Sequence, residues 1–217
     1  MKQHKFDTYE NYVEAQRERT LRKMRKSPGP TTPTRCFTNT ETIEHIKDLY
    51  SYKVKKGMCH GVRTGNEVYL CQDVIGGEWI GTEIVEEICD GKTIIHHDFS
   101  IPKDNWLSVF DIIYSNSFDH SRDPYKTIQT WLNQLTKGNA TAKGNATANK
   151  GRIYLEWTPW HEKLGKRGNT ADCFAATLEE VLEILNSVGV ARVGVSIPCV
   201  SRKGTPYLRH IIEVSKS

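Results

Sequence analysis

Short apolar runs with high β propensity recur along this chain, and segments of helical character separate most of them. The first five runs are residues 53–59, 78–84, 93–97, 109–115 and 151–157. Strands that alternate with helices form a mostly parallel sheet, because the helix carries the chain back to the start of the next parallel strand. The chain has 217 residues, which is enough for one α/β domain with a single core.

The last two runs break this alternation. Residues 191–198 and 205–214 are separated by a short turn at 202–204, with no helix between them. Two strands joined by so short a connection pair antiparallel. The sequence therefore predicts a mostly parallel sheet that ends in an antiparallel hairpin.

Two helices are marked by their first residues. Asp123 is placed to cap a helix that begins with Pro124, and Thr177 with Glu180 has the spacing of a capping box. Apolar residues follow each cap at helical spacing, first Ile128, Trp131, Leu132 and Leu135, then Leu178, Val181, Leu182 and Leu185. Both stripes predict faces that pack against a core rather than ligand sites.

Residues 1–50 predict a helical extension to a main domain over residues 51–217. A polar helix over residues 7–26 has few apolar side chains, so it could serve as a lid or as an oligomer contact. Three prolines break the chain at 27–34, and a short helix follows over 41–50. Within the main domain, the tandem repeat KGNATA predicts a mobile loop at 137–150.

The charge of the chain is informative mainly by its position. Lys and Arg number 30 against 26 Asp and Glu, and residues 1–26 contain the whole excess of four positive charges. Residues 27–217 are balanced in charge, which argues against a dedicated nucleic-acid-binding protein. The basic segment 17–26 could contact phosphates or an acidic partner, but a solvated helix face is the favoured interpretation.

Composition also bears on the cellular compartment. No apolar run approaches the roughly 18 residues of a membrane span, and the first ten residues lack an apolar signal-peptide core. We therefore expect a cytoplasmic protein. The six cysteines lie far apart with no C-x-x-C pair, which predicts reduced thiols rather than a zinc knuckle or a redox pair.

Polar residues and glycines follow the first four predicted strands. Gly61 and Gly65 lie at the turn into the first helix of the main domain, a pattern that is weak alone. Glu83 ends the second strand 22 residues after Gly61, close to the ~20-residue offset at which an acidic residue binds ribose hydroxyls. Asp98 ends the third strand, and residues 115–117 end the fourth. The carboxyl ends of parallel strands share one edge, so this spacing favours a nucleotide-like ligand.

The sequence resembles the class I S-adenosylmethionine-dependent methyltransferases over roughly residues 50–217. The resemblance rests on GVRTG at 61–65, IGTEI at 80–84, HHDF at 96–99, FDIIYSNSFDH at 110–120 and GRIYLEW at 151–157. It implies a Rossmann-like, mostly parallel seven-stranded sheet with an antiparallel C-terminal strand and helices on both faces. It also implies S-adenosylmethionine as the cofactor and methyl transfer as the activity.

The same resemblance implies roles for residues at the sheet edge. Gly61 and Gly65 would line the methionine part of the cofactor, and Glu83 would hold the ribose. Asp98 and Phe99 would flank the adenine. The predicted cofactor contacts in full are Cys59, His60, Gly61, Arg63, Gly65, Glu83, Ile84, Asp98, Phe99, Ser115, Asn116 and Ser117.

Two of these positions, Cys59 and Arg63, bear on how the methionine part of the cofactor would be held. Cys59 stands where the family usually carries an acidic residue, so the methionine ammonium would need another partner, such as backbone carbonyls or Ser115. Arg63 could bind the methionine carboxylate with its guanidinium or could be a surface arginine. Ser115 and Asn116 would lie near the sulfonium.

Two histidines are candidate general bases for a hydroxyl acceptor. His120 lies four residues after Asn116, and His161 follows the fifth strand. His120 could instead only cap the helix that begins near Asp123, and His161 could be an ordinary loop residue. A metal site is a further possibility at the sheet edge, from His96, His97, Asp98, His120 and His161. It is disfavoured, because the adjacent His96 and His97 point to opposite faces of a strand and at most one of them could join the site.

The end of the fourth predicted strand also bears on the methyl acceptor. SNSF at 115–118 lacks the Asn-Pro-Pro-aromatic signature of enzymes that methylate nucleobase amines, which leaves oxygen methylation of a small molecule or sugar as the favoured reaction. Trp157 and Trp160 could wall the acceptor pocket or pack a loop. One alternative is an NAD-dependent oxidoreductase, although G-x-G-x-x-G is missing. Another is a degenerate, non-catalytic interaction module.

Overall fold

The computed structural model describes residues 1–25, 38–138, 150–162, 172–201 and 204–216. The predicted break at 27–34 lies outside these ranges, as does Cys36. Most of the predicted loop at 137–150 and two residues of the turn at 202–204 also lie outside the described residues.

The described ranges contain five α-helices and nine strands. The helices are α1 (Tyr9–Arg25), α2 (Thr40–Leu49), α3 (Asn66–Val74), α4 (Pro124–Gln134) and α5 (Leu178–Asn186). The strands are β1 (Lys2–Gln3), β2 (Lys56–His60), β3 (Glu78–Glu83), β4 (Ile94–His96), β5 (Ile112–Ser115), β6 (Arg152–Trp157), β7 (Phe174–Ala175), β8 (Val190–Val200) and β9 (Pro206–Ser215).

Seven of these strands form one sheet in the order β4-β3-β2-β5-β6-β9-β8. The first five are mutually parallel, and β9 pairs antiparallel with both β6 and β8. The predicted mostly parallel sheet with an antiparallel C-terminal strand is therefore confirmed. The register pairs His60 with both Thr82 and Ser115, and Glu83 with His96, so the polar ends of four strands share one edge.

The caps predicted from sequence are present. The Asp123 carboxylate accepts a hydrogen bond from the Lys126 N–H at 3.1 Å, and Pro124 occupies the first turn of α4. Thr177 and Glu180 form both hydrogen bonds of the capping box at the start of α5. Each cap satisfies backbone N–H groups that would otherwise lack a partner at the helix start.

Helices cover both faces of the sheet, which divides the core into two clusters. One cluster contains Trp131 of α4 and Leu185 of α5, and the other contains Ile43 and Ile46 of α2 together with Val68 of α3. Helix α2 thus contributes fully buried side chains to the core. The division of the chain at residue 50 stays a prediction.

The N-terminus makes contacts that the sequence did not predict. Strand β1 pairs antiparallel with β7, and the Met1 ammonium forms an ion pair with Glu180 at the start of α5. Helix α1 follows β1 and lies over the carboxyl edge of the sheet, where its side chains contact residues after β3, β4 and β5. No helix in the described part of the chain has the length and apolar character that crossing a membrane requires.

Candidate active site

A cavity lies between the carboxyl edge of the sheet and helix α1. Eight of its twelve lining residues are among those predicted from sequence, namely Gly61, Arg63, Glu83, Ile84, Asp98, Phe99, Ser117 and His120. The other four, Tyr12, Gln16, Arg19 and Thr20, belong to α1. Glu83 and Asp98 therefore face one common cavity.

Gly61 shapes the floor of this cavity. Its φ is +75°, a left-handed conformation that residues with a Cβ adopt at a cost. A Cβ at this position would lie 2.7 Å from the Cβ of Ser117, whose hydroxyl donates a hydrogen bond to the Gly61 carbonyl at 3.1 Å. The glycine thus allows the turn after β2 to approach the turn after β5 closely.

Glu83 holds two loops of the cavity together. Its buried carboxylate accepts hydrogen bonds from the backbone N–H groups of Arg63 at 2.8 Å, Ile84 at 2.9 Å and Val85 at 3.3 Å. Burial raises the pKa of the Glu83 carboxyl, and the three N–H donors oppose that shift. One side chain thereby fixes the glycine loop relative to the end of β3.

Asp98 links the end of β4 to α1. Its carboxylate accepts hydrogen bonds from the Ser100 N–H at 2.8 Å and from the Tyr9 hydroxyl at 3.0 Å. Burial, together with the Asp98 charge, raises the pKa of Tyr9 to about 12, so the phenol stays protonated and donates. Phe99 packs edge-on against Trp131 beside the cavity.

The inward face of α1 is polar, which corrects the favoured interpretation of residues 17–26. Arg19 and Lys23 face the interior, whereas Arg22 is exposed and Arg17 forms a surface ion pair with Glu87. Burial and the neighbouring Arg19 and Arg63 charges lower the pKa of Lys23 to about 7. A solvated basic face therefore describes only part of this segment.

Helix α1 also limits what the cavity can admit. The free space between the lining side chains is about 40 Å³, room for roughly three water molecules. A ligand of nucleoside size therefore requires α1 side chains, or the helix itself, to move outward.

Both ring nitrogens of His120 have polar neighbours. Nδ1 lies 2.9 Å from the Gln16 amide oxygen, which favours the tautomer with the proton on Nδ1. One Arg19 Nη, which can only donate, lies 2.9 Å from Nε2 and 3.2 Å from Nδ1. Burial, reinforced by the Arg19 and Lys23 charges, holds the pKa of His120 well below its usual range. The ring is therefore neutral near pH 7, with its lone pair on Nε2 directed at Arg19.

Two carboxylates surround this nitrogen. Asp172 Oδ1 lies 3.5 Å from His120 Nε2 and forms an ion pair with Arg19, and Asp119 Oδ1 lies 4.0 Å from the same nitrogen. Burial raises the pKa of the Asp119 carboxyl, and its Oδ1 has no hydrogen-bond partner.

Among the described residues, these three side chains are one group spaced for a metal ion. In this structure the Arg19 guanidinium lies on that group, contacting His120 and Asp172. His120 is the one member of this group that was considered from sequence, and the adjacent His96 and His97 lie elsewhere. His96 and His97 contact the backbone carbonyls of Ile84 and Ile101, respectively.

His161 lies outside the cavity lining. Its ring stacks on Trp157 at 4.7 Å, and its Nδ1 accepts a hydrogen bond from the Thr158 N–H at 2.9 Å. Nδ1 is therefore not available to the hydroxyl of an acceptor in this structure. The role of His161 as a base stays a prediction.

Three other residues that were predicted to contact the cofactor, Cys59, His60 and Gly65, are not among the cavity-lining residues. Cys59 is buried with its Sγ 3.8 Å from that of Cys71, and the His60 ring stacks on Trp131 while bonding to Thr82 and Gln134. Gly65 is the N-cap of α3, where a Cβ would contact Ile94. The Cys59 and His60 side chains fill the core. Any cofactor contact from these three residues would therefore come from backbone atoms.

Ser115 and Asn116 are also directed elsewhere. The Ser115 hydroxyl donates to the His60 carbonyl at 3.0 Å, and the Asn116 amide contacts Thr38 and Glu67. Neither of the two tryptophans considered as walls of the acceptor pocket lines the cavity. Trp157 is fully buried in the core, and Trp160 is exposed with its ring against Tyr207.

Sequence reasoning missed the α1 residues and the acidic pair Asp119 and Asp172. Tyr12, Gln16, Thr20 and Lys23 recur at helical spacing, which is a signal for one inward face, but their polar character points to solvent. Asp172 has no local signal, since its partner Arg19 lies 153 positions away in sequence.

No protein-family model matches the chain, and no curated protein matches it in sequence. The fold is nevertheless similar to solved structures. The 1,6-didemethyltoxoflavin-N1-methyltransferase of Burkholderia thailandensis, solved with 1,6-didemethyltoxoflavin and S-adenosylhomocysteine, matches with a TM-score of 0.69 at 12% identity. That match covers 99% of this chain and 93% of the other.

Two archaeal structures agree. An S-adenosylmethionine-dependent methyltransferase from Archaeoglobus fulgidus matches with a TM-score of 0.53 at 15% identity, over 82% of this chain and 95% of the other. One from Methanosarcina mazei matches with a TM-score of 0.51 at 15% identity, over 79% and 97%. The chain therefore has the fold of the class I S-adenosylmethionine-dependent methyltransferases.

Proposed function

We propose, on the premise of this fold, that the chain transfers a methyl group from S-adenosylmethionine to an oxygen atom of a small molecule or sugar. The observation that carries the proposal is the meeting of Glu83, Asp98, Gly61 and His120 in one cavity at the carboxyl edge of the sheet. In open α/β sheets this edge is where ligands bind.

The residues present suit an adenosyl cofactor. The Glu83 carboxylate has lone pairs for ribose hydroxyls, and Asp98 can accept from the adenine amino group once the Tyr9 hydroxyl has withdrawn. Gly61, beside Ser117 in the cavity lining, presents backbone atoms to the methionine part. Arg63, beside Gly61 in the cavity lining, offers a cation for the methionine carboxylate.

S-adenosylmethionine supplies a methyl group on a positively charged sulfur, and the bonding pair stays on the sulfur when the methyl leaves. The protein has to hold the acceptor in line with that methyl group and to exclude water, and such positioning supplies ~7–11 kcal/mol of the barrier. Helix α1 lies over the cavity and is the element that excludes water.

His120 serves as the general base. Its neutral ring, its Nδ1 proton held by Gln16 and its lone pair on Nε2 suit it to take the proton of an acceptor hydroxyl. Removal of such a base lowers a rate by ~10²–10⁴-fold. The absence of the Asn-Pro-Pro-aromatic signature after β5 is consistent with an oxygen rather than a nucleobase amine as acceptor.

Isothermal titration calorimetry with S-adenosylhomocysteine tests the cofactor assignment. We expect micromolar binding to the full chain, with no comparable binding of NAD. Binding of NAD alone would instead favour the oxidoreductase alternative. Binding of neither compound would favour the non-catalytic interaction module and would overturn the proposal.

A methyl-transfer assay with radiolabelled S-adenosylmethionine and a library of glycosides and phenols tests the role of His120. We expect His120→Gln to bind S-adenosylhomocysteine like the wild type while transfer falls by ~10²-fold or more. His161→Gln is the matched control, because His161 lies outside the cavity lining, and it should retain most of the activity. Equal rates for wild type and His120→Gln would refute His120 as the base.

A further inference from the structure

Three hydrogen-bond acceptors converge beside the cavity. His120 Nε2 lies 3.5 Å from Asp172 Oδ1 and 4.0 Å from Asp119 Oδ1. The first two share one donor, the Arg19 guanidinium, whereas the buried Asp119 Oδ1 has no hydrogen-bond partner. Acceptors this close together suit a group that offers more than one donor.

Arg19 shows how such a ligand would bind. A single guanidinium nitrogen contacts both His120 and Asp172, so one side chain from α1 bridges two of the three acceptors. Arginine offers only donors. The lone pair proposed to act as the base is therefore covered by Arg19, and the acceptor has to displace that side chain to reach it.

The proposed function indicates which group displaces Arg19. A general base at His120 Nε2 requires a hydroxyl on that nitrogen. Asp172 Oδ1 lies 3.5 Å from the same nitrogen and loses its Arg19 contact at the same time. A ligand with a second donor next to the reacting hydroxyl replaces both contacts of the guanidinium.

We propose that the site formed by His120 and Asp172 binds two neighbouring hydroxyl groups of the acceptor, a vicinal diol such as that of a sugar, in place of the Arg19 guanidinium. One hydroxyl donates to His120 Nε2 and the other to Asp172 Oδ1, whose separation of 3.5 Å adjacent hydroxyls of one ring can span. This inference rests on the proposed function and names its substrate class.

The diol arrangement also assigns which oxygen is methylated. The hydroxyl on His120 gives its proton to Nε2 as its oxygen bonds to the methyl carbon, and the sulfur keeps the electron pair of the bond that breaks. The hydroxyl on Asp172 keeps its proton and holds the ring in place. Asp172 is therefore a specificity-determining residue that contacts the acceptor.

Ligand-observed NMR titration tests the proposal with three probes of one size: cis-1,2-cyclohexanediol, cyclohexanol and cyclohexylamine. Each is titrated into the full chain with and without S-adenosylhomocysteine. In Arg19→Met, which keeps the aliphatic stem, we expect the diol to bind at least about tenfold more tightly than in the wild type, the effect of losing one charged hydrogen-bonded competitor. The exposed Arg22→Met is the matched control and should bind like the wild type.

The second expectation concerns Asp172. In the double variant R19M/D172A, diol binding should fall back by about tenfold to the level of cyclohexanol. Equal binding of diol and cyclohexanol to Arg19→Met, or an unchanged diol affinity in the double variant, would overturn the inference. Preferred binding of cyclohexylamine would identify a site for cations and would overturn it too.

The two proposals fail in different ways. Calorimetry with S-adenosylhomocysteine on the same variants reports the cofactor site, which contains neither Arg19 nor Asp172 among its proposed ligands. Intact cofactor binding without diol binding refutes the diol site alone. Diol binding without cofactor binding refutes the proposed function and leaves a polyol-binding site.

Discussion

Replacing Glu83 by glutamine removes the charge that holds two loops of the cavity together. The carboxylate accepts three backbone N–H groups, from Arg63 in the glycine loop and from Ile84 and Val85 after β3. The glutamine amide keeps one oxygen acceptor and turns an NH₂ group toward at least one of these N–H donors. One buried N–H then loses its partner.

The expected loss of stability follows from those three hydrogen bonds. A hydrogen bond to a charged group contributes ~1.5–3 kcal/mol net, and burial of the Glu83 carboxyl offsets part of that gain. We expect Glu83→Gln to lower the free energy of unfolding by roughly 2 kcal/mol, which is ~4–8 °C in Tm for a chain of this size. Cofactor affinity should fall by ~10–100-fold, because the ribose hydroxyls lose a charged acceptor.

Thermal unfolding and calorimetry with S-adenosylhomocysteine measure the two effects separately. Glu86→Gln is the matched control, since Glu86 is exposed three residues away, and it should change neither quantity. If Glu83→Gln unfolds at the wild-type temperature and binds S-adenosylhomocysteine with wild-type affinity, Glu83 neither fixes the loops nor binds the cofactor. The site assignment would then be wrong.

Three further predictions concern neighbouring positions. Burial lowers the pKa of His60 from 6.5 to about 3. As the pH is lowered past 6.5, the imidazole is therefore protonated in the unfolded chain and stays neutral in the folded one. The free energy of unfolding should fall by roughly 2 kcal/mol between pH 7 and pH 5. Denaturant unfolding at both pH values should show a smaller difference in the free energy of unfolding for His60→Gln than for the wild type. Gly61→Ala should cost ~1–2 kcal/mol in backbone strain, should add a clash with Ser117, whose Cβ would lie 2.7 Å from the new Cβ, and should abolish calorimetric S-adenosylhomocysteine binding. Gly91→Ala, with φ +71° and no atom within 4 Å of its Cβ, should show the strain alone. Thr177→Ala removes one bond of the capping box and should lower the free energy of unfolding by ~1 kcal/mol in thermal melts, and a change within error would refute the role of that cap.

The amino-acid sequence by itself determined the sheet and much of its functional edge. Local signals specify these features: apolar runs of strand length, caps such as Asp123 and Thr177, and glycines at a turn. The position of Glu83 after Gly61 could be interpreted because parallel strands bring their carboxyl ends to one edge. Gly61, Glu83, Asp98 and Ser117 follow from that geometry, whereas the other predicted residues that line the cavity follow from the resemblance to the methyltransferase family, namely Arg63, Ile84, Phe99 and His120.

Only the tertiary structure decided what covers the cavity and which acceptors surround His120. Helix α1 is polar, and whether a polar face meets solvent or the interior depends on partners far along the chain. Arg19 forms an ion pair with Asp172, 153 positions away in sequence, and the Tyr9 hydroxyl donates a hydrogen bond to Asp98, 89 positions away. Hydrogen bonds and ion pairs of this kind leave no periodic pattern in the sequence, because burial of a polar side chain is stabilised by its partner and not by its own apolar surface.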